Sequence, residues 1–269
     1  MLISRGSMSG GELIAQCLTH TAHLRCVTRE DLLVSVNRHG ELASRVTAEI
    51  GSAAQHYERF SELRRPYKLL MRHALLEYAR RDNLAYLGYS GHLLVENIAH
   101  FIRVRLVAPL DLRIKMTMSR LGCTSAEAED HIRTADDERV RWARFMYGRN
   151  LRDPELYDVC LNLERVSIPT VCSVLRGVIA EAELQPTAES LEALENEFLA
   201  SRVLVALLDN PQTFPLEIGA AAEQGRLALE GPYLDQAVLD SVVATARSVP
   251  GVTAVDYQPG YAPAFKFLA

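Results

Sequence analysis

The chain has 269 residues, 29 Lys and Arg against 34 Asp and Glu, and a formal net charge of -5. With 48% hydrophobic and 23% charged residues it has the balance of an ordinary globular protein, which excludes a disordered tail, a collagen-like fibre and a small disulfide scaffold. At about 150 residues per domain, the length predicts one large domain or two modest ones.

Taken in chain order, residues 2–5 predict a short apolar strand, followed at once by Gly6, Ser7, Met8, Ser9, Gly10 and Gly11. From Glu12 the period turns helical, with Leu13, Ile14, Cys17 and Leu18 apolar. Strand, glycine-rich loop and helix is the layout that turns backbone N–H groups toward an anionic phosphate. The first strand is short for the centre of a parallel sheet, and a start upstream of Met1 would lengthen it. Thr28 with Asp31 predicts a helix start, and a long helical stretch is expected from there to about residue 80. Residues 83–87 and 101–108 read as buried strands, the second running into Pro109. Helices alternate with these strands, so the first part predicts an α/β domain with a parallel sheet. Thr124 and Glu127 form a capping-box pattern, opening a helix that runs through Arg144. A last strand is expected over 156–162 and a closing helix over 168–180. Residues 181–189, with Gln185 and Pro186, read as a linker. Beyond it the pattern gives a helix, a hairpin turning at Gln224 and Gly225, a second helix stopping at Gly251, and a strand over 252–257.

Charge is unevenly placed along this plan. Residues 181–269 hold four basic groups against thirteen acidic ones, a net of -9, while residues 1–180 carry +4. Two units with different partners are therefore expected. No stretch approaches the roughly 18 uninterrupted apolar residues of a membrane span, and the first six residues lack the pattern of a secretory signal. Five cysteines, an odd number, read as reduced thiols in a cytoplasmic protein. Cys17, His20, His23 and Cys26 recur every third residue. A structural zinc needs four converging ligands, and this step would smear them around a helix end, so no metal site is expected. Acidity and the lack of a basic patch with interleaved aromatics argue against nucleic acid.

The first part resembles the cytidylate-kinase-like branch of the P-loop nucleoside-monophosphate kinases. The likeness rests on Ile3, Ser4 and Arg5 leading into Ser9, Gly10, Gly11, Ile14 and Ala15, then on Arg29 and Glu30. It continues through Ala108, Pro109, Leu110 and Arg113, the run Asp136, Asp137, Glu138 and Arg139, and finally Leu156, Tyr157, Asp158 and Asn162. The resemblance implies a P-loop kinase-like domain over 1–180 that binds ATP, Mg²⁺ and CMP. The last 80 or so residues, 190–269, resemble a BON domain through Gly225, Gly231 and the run Val249, Pro250, Gly251, Val252 and Val255. That resemblance implies a small α+β module for a ligand or partner protein.

A working phosphate loop reads G-x-x-x-x-G-K-[ST], its Lys neutralising the transferred group and its hydroxyl ligating Mg²⁺. Gly6 and Gly11 occupy the glycine positions, but Glu12 stands at the lysine position and Leu13 at the hydroxyl position. A unit charge ~4 Å from a phosphate, at an effective dielectric near 20, contributes about 4 kcal/mol. Reversing its sign costs some thousands-fold in rate by that estimate. No lysine precedes Lys68, so nothing local is expected to replace the lost cation. Gly6, Ser7, Ser9, Gly10 and Gly11 are the expected phosphate-binding residues. The resemblance makes Arg133, Asp136, Arg139 and Arg144 lid residues, and in an active enzyme Arg113, Arg139 and Arg141 would serve catalysis. The competing expectation for the same helix is a solvated face laced with pairs such as Asp136–Arg139. Tyr89 stands where the family pattern favours Arg, which weakens monophosphate binding. Tyr157 and Asp158 are expected to fix the sheet edge.

Three functions remain open at this point. The chain is a cytosolic nucleotide-binding or regulatory protein with a degenerate site, an ATP-dependent CMP or dCMP kinase, or an assembly module. In the last case the helix over 53–78 would form a homodimer surface.

Overall fold

Leu2, Ile3 and Ser4 are each no more than 2% exposed, because the first strand lies in the middle of a five-stranded sheet. The computed structural model describes residues 1–38, 40–52, 61–81, 83–95 and 98–260. Its first sheet contains β1 (Leu2–Arg5), β2 (Arg25–Thr28), β3 (Leu84–Gly88), β4 (Arg103–Val107) and β5 (Val159–Asn162). The order is β2-β3-β1-β4-β5, and every pairing is parallel. Ile3 lies opposite Leu87 on one side and Val104 on the other. This is the α/β class that alternating strands and helices predict; β1 falls where expected, β3, β4 and β5 have ends shifted by up to three residues, and β2 is a strand the sequence reading did not place.

The helices follow from the same alternation. After β1 comes α1 (Gly11–Ala22), and after β2 come α2 (Arg29–Val36), α3 (Glu41–Ser52) and α4 (Ser61–Ala79). α2 begins as expected: Thr28 donates its backbone N–H and its hydroxyl to Asp31 Oδ2, each at 2.8 Å. The single long helix expected to residue 80 is instead interrupted, and Gly40 has a φ of 94° that no helix accommodates. Residues 53–60, with Tyr57 and Phe60, lie outside the described residues. Between β4 and β5 lie α5 (Leu110–Leu121) and α6 (Ser125–Tyr147), and α7 (Ile168–Ala180) follows β5. Thr124 caps α6 with the predicted reciprocal capping box to Glu127. Ile14 and Leu18 of α1 and Val171 and Leu175 of α7 share one core cluster with Ile3, Val104 and Leu106.

Compactness divides the chain in a way its linear order does not display. One unit takes Met1–Asp31 with Arg81–Thr187, and the other takes Leu32–Arg80 with the chain from Ala188 onward. The second unit adds α8 (Ala188–Asp209), β6 (Gly219–Glu223), β7 (Arg226–Gly231), α9 (Gln236–Ser248) and β8 (Ala254–Pro259). Its sheet runs β6-β7-β8, antiparallel then parallel. The turn at Gln224 and Gly225 has positive φ at both residues, 47° and 86°, as a two-residue hairpin requires. Within this unit α4 packs on α8. The His73 ring stacks on Phe198 at 5.3 Å, and its Nδ1 lies 2.9 Å from Ser201 Oγ. Arg72 pairs with Glu197, and Arg80 Nε donates to Glu195 at 2.7 Å. Leu63, Leu69, Leu70 and Leu76 are all buried. These apolar side chains are covered within the chain, so they are not the ones a second copy would meet.

The cysteine expectation also needs correcting. Cys17 of α1 and Cys172 of α7 are joined as a disulfide with a Cα–Cα distance of 6.4 Å, and the free cysteines are Cys26, Cys123 and Cys160. The bridge closes 155 residues of sequence, a pairing that spacing could not suggest. It removes the cysteine count as an argument for a reducing compartment, and it takes Cys17 out of the His20, His23 and Cys26 series. Among the described residues no helix is long and apolar enough to cross a membrane. Replacing Cys172 by serine is expected to cost about 2–4 kcal/mol in oxidising buffer, measured as a lower urea midpoint. Under reducing conditions the two proteins should unfold together. Equal midpoints in oxidising buffer would show that the sulfurs are not joined.

Candidate functional site

The chain leaves β1 at Arg5 and reaches α1 through a loop with two left-handed residues, Met8 (φ 52°) and Gly10 (φ 77°). Such reversals aim backbone N–H groups into a concavity suited to an anion. Ser9 Oγ donates to the Gly6 carbonyl at 3.1 Å, and the Ile14 N–H donates to the Gly10 carbonyl at 3.2 Å. A Cβ on Gly10 would stand 3.1 Å from both Ile168 Cδ1 and Leu163 Cδ2. On Gly11 it would overlap Arg5 Cδ. The loop therefore needs glycine once for its φ and once for its closeness to an arginine.

A cavity of about 920 Å³ opens against Ser7, Ser9, Gly10, Gly11 and Glu12. Arg5 lines it from β1, Lys115 and Arg120 from α5, and Arg139 from α6. Four cations thus face one carboxylate. That carboxylate, Glu12, is already engaged: Arg120 Nη1 donates to Oε2 at 2.6 Å, and Arg5 Nη2 lies 3.8 Å from Oε1. Within the loop itself no lysine stands in for Glu12; the cations that line the cavity come from β1, α5 and α6. Glu12 is about half exposed and Arg120 slightly more so, so their pair contributes at most about 1 kcal/mol to stability. Its consequence is placement.

Arg139 carries the clearest electrostatic signature. Burial, and after it the neighbouring positive charge of Arg5, hold its guanidinium below the usual arginine range, against the opposing pull of Asp136. Its Nη1 is buried without a hydrogen-bond partner, as is Arg5 Nε. Arg139 also lies over the Tyr89 ring, 5.6 Å from its centroid. An anion entering the cavity would relieve both the repulsion and the missing hydrogen bonds.

A second cavity of about 360 Å³ touches the same loop through Gly6 and Ser9 and is lined by Arg105, Arg113, Arg152, Asp136 and Tyr157. Arg113 Nε donates to the Ser7 carbonyl at 2.7 Å and its Nη2 to Asp136 Oδ2 at 2.6 Å. The other oxygen of Asp136 accepts the Ser7 backbone N–H at 3.0 Å. Arg105 Nη1 donates to Ser4 Oγ at 2.9 Å, and the Tyr157 hydroxyl donates to the Leu151 carbonyl at 2.9 Å. Burial pushes the Tyr157 hydroxyl up. Asp158 takes Arg103 Nη2 at 2.6 Å and the Arg103 N–H at 2.7 Å, which places it at the sheet rather than in a cavity.

The lid and catalytic residues expected from the sequence thus separate. Asp136, Arg139 and Arg113 reach the loop. Arg133 pairs with Glu129 on its own helix at 2.6 Å, and Arg141 and Arg144 are exposed and line neither cavity. Sequence reading missed Arg5, Lys115, Arg120, Arg105 and Arg152. On α5, cavity-lining residues fall into two adjacent i, i+4 rows, Lys115 with Ser119 and Met116 with Arg120. Leu13, about half exposed, lines the larger cavity and offers no side-chain oxygen to a cation at the hydroxyl position.

Comparison with known proteins gives the same outline. The sequence model of the cytidylate kinase-like family matches residues 2–165. A protein of Staphylothermus marinus named cytidylate kinase is 32% identical over 107 residues, 38% of this chain and 58% of that protein. Another of that name, from Ignicoccus hospitalis, is 25% identical over 181 residues, covering 66% of this chain and 98% of the relative. The crystal structure of an uncharacterized protein from Eubacterium ventriosum superposes with a TM-score of 0.51 at 16% identity. It covers 66% of this chain and 96% of the other, and it shows the fold alone. The five-stranded parallel sheet flanked by helices is like that of P-loop kinases.

The two demands on Gly10 can be separated experimentally. Gly10→Ala is expected to cost about 1–2 kcal/mol for its left-handed φ, plus the cost of crowding Ile168 and Leu163. Gly122 has a φ of 67°, and a Cβ added there would meet nothing within 4 Å, so Gly122→Ala carries the backbone cost alone. Equal losses in urea unfolding would refute tight packing at the loop.

Proposed function

The chain belongs to the cytidylate kinase-like family, and we propose that it is a nucleotide-binding protein whose loop holds phosphate without fast phosphoryl transfer. The observation that carries this is the cavity of about 920 Å³ beside Ser7–Glu12, with Arg5, Lys115, Arg120 and Arg139 on its walls. Cations and N–H groups together suit the oxygens of a nucleotide phosphate. Relatives named cytidylate kinase make CMP and ATP the ligands to try first.

Binding and transfer make different demands. A ground-state phosphate is satisfied by nearby positive charge, whereas transfer needs a cation whose contact strengthens as charge develops. Arg5 and Arg120 are already committed to Glu12, and that carboxylate stands near the phosphates, opposing any added negative charge. Mg²⁺ arriving with ATP gains no side-chain ligand at Leu13, so the nucleotide's own phosphates and water would hold it. These features favour a regulatory or sensing role over a phosphotransferase. The C-terminal order of helix, two strands, helix and strand supports a BON-like module for a second ligand or partner. The net charge of -9 over residues 181–269 disfavours an anionic membrane surface.

One observation favours the other reading, an ATP-dependent CMP kinase. Lys115 and Arg139 line the cavity without being paired to Glu12, and either could take the missing lysine's part. Calorimetry and a coupled assay for ADP separate the two. ATP or CMP is expected to bind with Kd below about 1 mM, with CMP-dependent turnover well below ~1 per second, the low end of kinase rates. Turnover at or above that rate overturns the regulatory reading. No binding of either nucleotide at millimolar concentration overturns both. Lys115→Ala and Arg120→Ala, at exposed positions, should each weaken ATP by about tenfold, a loss of one charged contact, with little change in unfolding midpoint.

A further inference from the structure

We propose that Asp136 is a built-in stand-in for a ligand's phosphate, a lid-helix carboxylate that holds the loop in its absence and that the ligand must displace. The proposal rests on reading the loop as a phosphate site and names how that site is regulated. Three contacts carry it. Asp136 Oδ1 accepts the Ser7 backbone N–H at 3.0 Å, so a loop amide points at a carboxylate oxygen. Asp136 Oδ2 accepts Arg113 Nη2 at 2.6 Å. Arg139 Nη1 lies 3.7 Å from Oδ1, an ion pair without a hydrogen bond. One backbone amide and two arginines converging on a two-oxygen anion is the donor set that a phosphate would also draw.

An ordinary helix-surface aspartate would make its contacts along its own helix. Asp136 reaches 129 residues back in the sequence to Ser7, and only a quarter of its side chain is exposed. Arg113 is more buried still, at 12%, and it also donates from Nε to the Ser7 carbonyl at 2.7 Å. The loop, α5 and α6 are therefore clipped together at Ser7. Removing a carboxylate from such a pair leaves a buried cation in need of an anion, and phosphate supplies one. While the clip is closed, apparent affinity for phosphate is reduced by the fraction of molecules that are open. Entry of phosphate frees α6 from the loop, so occupancy is read out as release of the lid helix.

The test is calorimetry with sodium tripolyphosphate and with ATP on the wild-type chain, Asp136→Asn and Asp136→Ala. Asn keeps the shape and can still accept the Ser7 N–H, but it loses the charge that holds Arg113. Both variants are expected to bind tripolyphosphate at least about tenfold more tightly than wild type, and the gain should vanish in Asp136→Asn with Arg113→Ala. A purely structural aspartate predicts the opposite, equal or weaker binding together with a lower unfolding midpoint. That result, with wild type still binding, overturns the proposal and leaves the phosphate-loop reading standing. Tighter tripolyphosphate binding by the variants, with no ATP binding by any protein, upholds the clip and overturns the nucleotide reading. Absence of all binding overturns both. Circular dichroism on each variant establishes that the fold is intact, and the alanine variant covers a failure of the asparagine one.

Discussion

Burial of β1 between β3 and β4 is the constraint on which the site depends. A strand hydrogen-bonded on both sides and apolar at Leu2 and Ile3 can occupy only the centre of the sheet. Its carboxyl end therefore opens where β3 and β4 also end, in the crevice in which open α/β sheets bind their ligands. Arg5 and the loop that follows are delivered there without any choice of their own. The glycines at 10 and 11 are then demanded by the turn and by the arginine they touch.

The same crevice gathers more positive charge than it can hold unaided. Arg5 and Arg113 both act to lower the guanidinium of Arg139, behind the larger effect of burial. Two carboxylates offset this charge: Asp136 on α6 opposes the lowering of Arg139, and Glu12 at the start of α1 pairs with Arg120 and Arg5. Each does so by occupying cations that an incoming anion would want. Stability without ligand and affinity for ligand are thus opposed at the level of individual ion pairs. Glu12 can be seen as the residue that spoils a phosphate loop or as the residue that keeps Arg120 beside it. The distances favour the second description.

The second compact unit shows how a segment can change allegiance. Residues 32–80 follow β2 in sequence, yet they group with the C-terminal elements. The cause is visible in α4, which buries Lys68, Arg72 and His73 along with its leucines. Buried charge must be paired, and Glu197 and Ser201 on α8 supply partners for Arg72 and His73. The helical pattern of this segment could not say what covered α4. Once α8 covers it, no large apolar face of α4 remains for a second copy among the described residues.

What the amino-acid order determined by itself is local. Strand and helix periods, the Thr124 capping box, the Gln224–Gly225 hairpin and the loop's glycine spacing all depend on neighbours within a few residues, and they appear close to where the pattern placed them. The break at Gly40 was missed because one glycine in a helical pattern does not reveal its φ. The long-range features belong to tertiary structure alone. Cys17 meets Cys172, Glu12 meets Arg120 and Ser7 meets Asp136 across separations of 155, 108 and 129 residues. A periodicity cannot encode which faces of two distant helices will come together, because that is set by how the sheet orders its strands. The cations of the cavity were legible as residues but not as a group, since a charge acquires its partner only when the fold brings one within a few ångströms.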